Sequence, residues 1–305
     1  MALQSSGQIS ISDIATELSA GSTNLSLRSL SSTAGFTTPD AVSEFYGYSH
    51  ATYSNSHYYQ LTASSGNALL RTASTSPFNL STSQDLSISV WVRQDSGGTA
   101  NQILWDFSNN TGSTANRFFL QWQSSSNHLI ARFRTGSSNF DLQWDLNDNS
   151  SVTGLNSGNW SSTNRGNVVD GNFCMITLTY DASQSSGATA FKCYWNASEM
   201  TTTTGSTSNS RSTSAVNHIC LGNNAHNSTT SAGAFDGAMD EFKIYNDLLT
   251  SGEVSTIYNS GSIAASSETH SAQLQTEITF DTDTSDSNGD FPTATTDSGT
   301  RVSWT

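Results

Sequence analysis

The sequence predicts a mainly β protein, a two-sheet jelly-roll sandwich with a small helical N-terminal segment and a short β appendage at the C-terminus. Three observations carry that expectation. Between about Tyr53 and Ser260, short runs of alternating apolar and polar residues follow one another, separated by stretches rich in Ser, Gly and Asn. Aromatic residues make up 10% of the chain, too much ring surface for a disordered polymer, while charged residues make up only 12%, against about 25% in an ordinary soluble protein. No period of roughly 20 to 50 residues recurs, which excludes solenoids and propellers.

The elements follow in order. Within residues 1–50, Ser12 to Leu18 and Ser26 to Leu30 space apolar side chains three or four apart, enough for one or two helical turns each. Thr38 to Gly47 reads as a short helix, with Thr38 as N-cap, Pro39 at the first helical position, Asp40 near the positive end and Gly47 as terminator. Helices below about 12 residues are marginal alone. These pieces therefore need a neighbour, which is either the chain's own sandwich or a larger assembly.

Residues 51–261 form the expected sandwich. Leu86, Ile88, Val90 and Val92 share one face of a strand; Leu129, Ala131 and Phe133 share one face of another, with Arg132 and Arg134 on its opposite face. Cys174 to Tyr180 and Phe191 to Trp195 read as an antiparallel pair across a Ser/Gly-rich connection. With 103–107, 117–122, 140–144, 219–222 and a closing strand 235–245, the total is roughly ten strands. Gly237 marks a bulge or a close backbone approach. Thr250-Ser251-Gly252-Glu253 has capping-box spacing and starts a helix that turns Val254, Ile257 and Tyr258 inward. The segments 147–167 and 201–217 read as long polar loops. Residues 262–305, with strands at Leu274 to Phe280 and Arg301 to Trp304, make the β appendage.

Charge and texture narrow the function. A net charge of −14, from 11 Lys and Arg against 25 Asp and Glu, leaves no basic footprint for a phosphate backbone, so no nucleic acid partner is expected. No run of about 18 apolar residues exists for a membrane span. The first twenty residues lack a basic start followed by an apolar stretch, so the expectation is assembly in the cytosol. Cys174, Cys193 and Cys220 all lie in β-rich segments without close spacing and read as buried free thiols.

No catalytic constellation stands out. None of the seven glutamates pairs with another at i+2 or i+4, the spacing that would put two carboxyls on one strand face. Asp240 and Glu241 are adjacent, so strict alternation sends them to opposite faces, with Asp240 holding a loop or the chain's own backbone. The six histidines are scattered; His218 and His226 flank Cys220 but are weak metal evidence. Trp122 and Trp144 share parity with core residues, whereas Trp160, with Asn159 beside it in a polar loop, reads as a sugar platform. Asp281, Asp283, Asp286 and Asp290 read either as a calcium loop or as a solvated acidic turn, since Asp286 stands where the turn glycine would be and no glutamate closes the run.

Two resemblances extend this reading. The run Phe235-Asp236-Gly237-Ala238-Met239-Asp240-Glu241-Phe242-Lys243-Ile244-Tyr245-Asn246, then Leu248-Leu249-Thr250 and Glu253-Val254, resembles the closing strand and short helix of laminin-G-like domains of the concanavalin A-like superfamily. That implies a concanavalin A-like jelly roll, and calcium at a loop edge where Asp106, Asn109, Asp181 and Asn223 end strands. The Glu-x-Asp-x-x-Glu strand of the hydrolases of this fold is missing, so no enzyme is expected. Met1 to Ile14, followed by Asp40-Ala41-Val42-Ser43-Glu44-Phe45-Tyr46-Gly47, is similar to the opening of structural proteins of tailed bacteriophage particles. That resemblance implies a virion protein of the tail, fibre or capsid decoration, docked to other virion proteins through residues 1–50, homo-oligomeric, released by lysis and facing host glycans. A free carbohydrate-binding lectin is the alternative.

Overall fold

The computed structural model describes residues 7–17, 26–33, 41–45, 57–72, 78–80, 84–95, 101–108, 117–123, 126–135, 138–146, 173–201, 203–208, 211, 214–224, 233–258, 274–280, 284 and 293–303. The chain divides into two compact units, Met1–Tyr53 and Ser54–Thr305.

The first unit contains α1 (Ile11–Glu17), α2 (Leu27–Thr33) and a 3-10 turn at Val42–Phe45. Ser10 and Asp13 cap α1 reciprocally: Ser10 N–H donates to Asp13 Oδ2 at 2.8 Å, and Asp13 N–H to Ser10 Oγ at 3.1 Å. Ser26 Oγ accepts from Ser29 N–H at the start of α2. Ile14, Ala15, Leu30 and Phe45 bury one another in a cluster of their own, flanked by half-buried Ile9, Ile11, Leu27 and Val42. The short pieces thus shield their apolar sides mutually, where the sequence suggested that they needed a separate neighbour. The helix expected over 38–47 reduces, among the described residues, to the single 3-10 turn.

In the second unit the strands are β1 (His57–Leu61), β2 (Leu69–Thr72), β3 (Phe78–Leu80), β4 (Leu86–Gln94), β5 (Asn101–Ser108), β6 (Arg117–Gln123), β7 (His128–Thr135), β8 (Ser138–Asp145) and β9 (Cys174–Tyr180). After the single turn α3 (Gly187–Ala190) come β10 (Phe191–Trp195), β11 (Ser198–Glu199), β12 (Thr203–Ser208), β13 (Ser214–Val216), β14 (His218–Leu221) and β15 (Gly237–Tyr245). Then follow α4 (Ser251–Tyr258), β16 (Leu274–Ile278), β17 (Thr293–Asp297) and β18 (Thr300–Ser303). One sheet has the order β11-β10-β9-β4-β15-β1-β18, with β16 also on β15; the other has the order β12-β8-β7-β6-β5-β14-β2-β17. A small third sheet pairs β13 with β3. Among the described residues every pairing is antiparallel.

The two large sheets close on one apolar core. Phe118, Phe133 and Phe140 from the second sheet meet Tyr180 and Phe191 from the first: the Phe118 and Phe133 rings stack at 4.1 Å, and Phe133 and Tyr180 lie 4.7 Å apart. Each such side chain contributes about 1.5–3 kcal/mol by leaving water, and ring pairs about 0.5–1.5 kcal/mol more. A second apolar cluster lies on the outer face of the first sheet, where Val254 and Ile257 of α4 cover Trp91, Met175 and Tyr245. The capping box is formed as its spacing predicts, with Thr250 N–H and Oγ donating to Glu253 Oε2 at 2.7 and 2.8 Å.

Two differences from the sequence reading concern strands at the sheet edges, and a third observation decides between two readings of Gly237. Residues 235–245 do not close the sandwich. The C-terminal strands join it, β16 extending β15, β17 pairing with β2 and β18 with β1, so 262–305 is no separate appendage. Buried Tyr59 fastens this region, donating its hydroxyl to Asp297 Oδ1 at 2.6 Å and accepting Gly299 N–H at 2.8 Å. Likewise Thr203–Ser208, read as loop, is strand β12 on the sheet edge. Its side chains are largely exposed, so no buried face imprints an apolar alternation. Of the two readings of Gly237 the close approach holds, since a Cβ there would stand 2.0 Å from Arg93 O, while the bulge falls later, between Asp240 and Lys243. Glu241 takes φ 47° there.

Candidate functional site

The alternation that buries Leu129, Ala131 and Phe133 sends the other residues of β6, β7 and β8 to the outer face of the second sheet. Strand register aligns them in cross-strand rows. Gln123, His128 and Asp145 form one, Gln121, Ile130 and Gln143 the next, Phe119, Arg132 and Asp141 a third, and Arg117, Arg134 and Asn139 a fourth. Gln121, Gln123, His128, Arg132, Arg134, Asn139, Gln143 and Asp145 are half-buried, presenting polar tips on a rigid sheet.

Two buried acids hold this grid. Asp106 accepts from Arg117 through both oxygens, Nε to Oδ1 at 3.0 Å and Nη2 to Oδ2 at 2.6 Å, while Arg117 lies 4.8 Å over the Phe119 ring. Asp141 accepts from Arg132 Nε at 2.7 Å through one oxygen and from Thr207 N–H and Oγ1 through the other. Such two-point charge-assisted bonds fix the guanidinium planes. His128 Nε2 stands 3.9 Å from Asp145 Oδ2. Arg117 and Arg132 are thus held in place by buried acids, while register sets the remaining polar side chains beside them on the same face.

The predicted site residues distribute differently. Trp160, Asn159, Asp281, Asp283, Asp286 and Asp290 lie outside the described residues, as does Asn109. Trp122 and Trp144 are core, as their parity implies. Of the strand-end calcium candidates, Asp106 is committed to Arg117. Asp181 accepts from Ser183 N–H, Ser183 Oγ and Gln184 Nε2, which holds its carboxyl below the usual range, the Ser183 bond first among the causes. Asn223 is buried, bonding Gly66 O and Asn224 N–H. Among the described residues, no group of three or more His, Cys, Asp and Glu is arranged to hold a metal ion. His218 Nδ1 lies 2.7 Å from Asn217 Oδ1, and burial lowers its pKa; His226 is outside the described residues. The three cysteines are free and buried, and burial pushes all three thiols up.

One cluster escaped sequence reasoning. Glu241 stands beside Lys243, whose Nζ lies 3.0 Å from Glu241 Oε2 and 3.3 Å from Glu277 Oε1, all three buried, and the bulge between Asp240 and Lys243 breaks the strict alternation expected of Asp240 and Glu241. Asp240 accepts Glu241 N–H through Oδ1 at 2.9 Å, the backbone role expected of it. The acids come from two strands 36 positions apart, so no local spacing reveals them. The polar grid, by contrast, was legible in principle: it is the complement of the core parity, of which Arg132 and Arg134 were the part noticed.

The family that the sequence matches agrees with this architecture. Residues 64–255 match a laminin-G family described as the concanavalin A-like lectin/glucanases superfamily. Among solved structures, a putative carbohydrate binding protein from Bacteroides ovatus shares 12% identity with a TM-score of 0.48, over 81% of this chain and 60% of that one. The NanB sialidase of Streptococcus pneumoniae shares 14% with a TM-score of 0.39, over 62% of this chain but only 27% of that one. The CBM40 of the Ruminococcus gnavus IT-sialidase shares 16% with a TM-score of 0.39, over 57% and 83%. No curated protein matches. With its family matched over more than half its length and its two antiparallel sheets packed as a jelly roll, the chain belongs to the concanavalin A-like lectin/glucanases superfamily.

Proposed function

We propose that the sandwich is a non-catalytic glycan-binding module whose contact surface is the outer face of β6, β7 and β8, carried by the N-terminal unit as a structural protein of a tailed bacteriophage particle. The observation that supports binding is the grid itself, an ordered floor of amide, imidazole and guanidinium groups matched to the hydroxyls of a saccharide. The face favours holding over cutting. Its buried acids are engaged by arginines, and the nearest thing to a carboxylate pair, Glu241 and Glu277, is buried around Lys243 on the other sheet, out of a substrate's reach. The virion role draws support from the phage-like opening of the sequence and from the separately packed N-terminal cluster. The free-lectin reading differs only in what that unit does.

The test is a glycan array probed with the full chain and with the double variant Gln121→Ala, Gln143→Ala. Neither glutamine supports a buried acid. Loss of their hydrogen bonds is expected to weaken binding about tenfold or more with unchanged melting temperature. A variant that binds as the wild type removes the grid from the site. Deleting residues 1–53 is expected to leave a folded sandwich that no longer enters particles; incorporation of the truncated chain would leave the free lectin as the better reading.

A further inference from the structure

The first sheet carries a cavity of its own, of about 240 Å³, on its outer face at the β11 edge. Its floor comes from sheet register. Thr179 of β9 stands opposite Lys192 of β10, and Tyr194, two residues along β10 and so on the same face, stands opposite Glu199 of β11. Leu248 to Ser251, from the connection between β15 and α4, line the cavity as well, as do Asp181 and Thr189. Nothing in this groove belongs to the polar grid, which faces outward from the other sheet.

The floor offers both hydrogen-bonding roles at once. Lys192 Nζ donates to Glu199 Oε2 at 3.5 Å, and both side chains are well exposed, at 56% and 39%. A hydrogen bond to a strongly hydrated ammonium at that length leaves both groups open to a ligand. Tyr194, at the inner end, has its phenol pushed up to about 12, chiefly by burial and then by the Glu199 carboxylate beside it, so at neutral pH it remains a donor. Above this polar floor stands Leu248, which at 36% is the exposed large apolar side chain among the described residues.

We propose that this groove binds a single uncharged sugar ring, at a site separate from the grid on the opposite sheet. The cavity lies below the roughly 300–1,000 Å³ of pockets for drug-sized ligands, which suits one ring and not a chain. A pyranose has hydroxyl donors for the Glu199 and Asp181 carboxylates, hydroxyl acceptors for Lys192 and Thr179, and an apolar CH face for Leu248. Two carboxylates against one ammonium give the groove a negative balance, which disfavours a carboxylated sugar. With a grid on one sheet and a groove on the other, one molecule would touch glycan in two places, and weak sites gain by such linkage.

The proposal does not rest on the grid, and the experiment separates them. The full chain, with its leucine methyl groups isotope-labelled, is titrated in turn with methyl glucoside, methyl galactoside, methyl mannoside and glucuronate while methyl resonances are followed by NMR. The Leu248 methyls are expected to shift with at least one neutral glycoside and less with glucuronate. Glu199→Gln, on an exposed side chain, should weaken that binding about tenfold, because a charged acceptor is lost. The grid variant Gln121→Ala, Gln143→Ala should leave it unchanged. Unmoved Leu248 methyls with all three glycosides, wild-type affinity in Glu199→Gln, or tighter binding of glucuronate would each overturn the groove, whatever the array shows for the grid.

Discussion

The two outer faces of the sandwich use charged side chains to opposite ends. On the first sheet, helix α4 and its apolar cluster cover the strands, and Glu241, Lys243 and Glu277 are sealed together with both acids sharing one ammonium. On the second sheet the buried acids Asp106 and Asp141 lie beneath, and a half-buried layer of Gln, His, Asn and Arg remains above them. A charge shut away from water becomes structure, because removing water raises the cost of leaving it unpaired. A charge placed under an open polar layer becomes a fixture that orients its neighbours.

The largest effect that would sharpen this contrast is expected from Lys243→Ala, which leaves two buried carboxylates facing each other. The cost should be about 3–5 kcal/mol, or roughly 10 °C in melting temperature for a unit of this size. Replacing the whole triad, Glu241→Gln with Lys243→Met and Glu277→Gln, should recover most of that loss. A single variant that melts with the wild type would show that the triad is not sealed. Arg132→Ala on the other face should cost less, about 1–2 kcal/mol by denaturant titration, since Asp141 keeps the N–H and hydroxyl of Thr207. If Arg132→Ala cost as much as Lys243→Ala, the two faces would not differ in the way argued. Gln143→Ala, half-buried in the grid and bearing no charge, should change stability by no more than about 0.5 kcal/mol.

The smallest expected effect is alkaline. Burial, then Glu199, raises the Tyr194 phenol from 10.0 to about 12. A folded pKa above the unfolded one means the stabilisation is complete below pH 10 and is lost as pH rises toward 12. Burial raises Tyr59, Tyr180 and Tyr258 in the same direction, so the wild type should weaken over this alkaline range. Tyr194→Phe should flatten part of that decline while leaving the neutral stability nearly as it was. A steeper decline in the variant would reverse the assigned sign.

The strands that cross the core were readable residue by residue. Leu86 to Val92 and Leu129 to Phe133 had their faces assigned by alternation alone, the pair 174–180 and 191–195 was recognisable from its spacing, and Trp122 and Trp144 were placed inside by parity. The capping box at Thr250 and Glu253 was equally plain, since it depends on residues three apart. These features are local, and local chemistry dictates them.

What the folded chain alone decided lies at edges and across distance. Strand β12 buries no apolar face among its described residues, so its Thr- and Ser-rich run carries no period to read; only a partner edge makes it a strand. The meeting of Glu241 with Glu277 around Lys243 depends on the register between β15 and β16, which neither composition nor spacing encodes. The same holds for the rows of the polar grid and the floor of the groove. Alternation assigns each side chain to a face, but which residues of different strands stand side by side is settled by register, and register is a property of the assembled sheet.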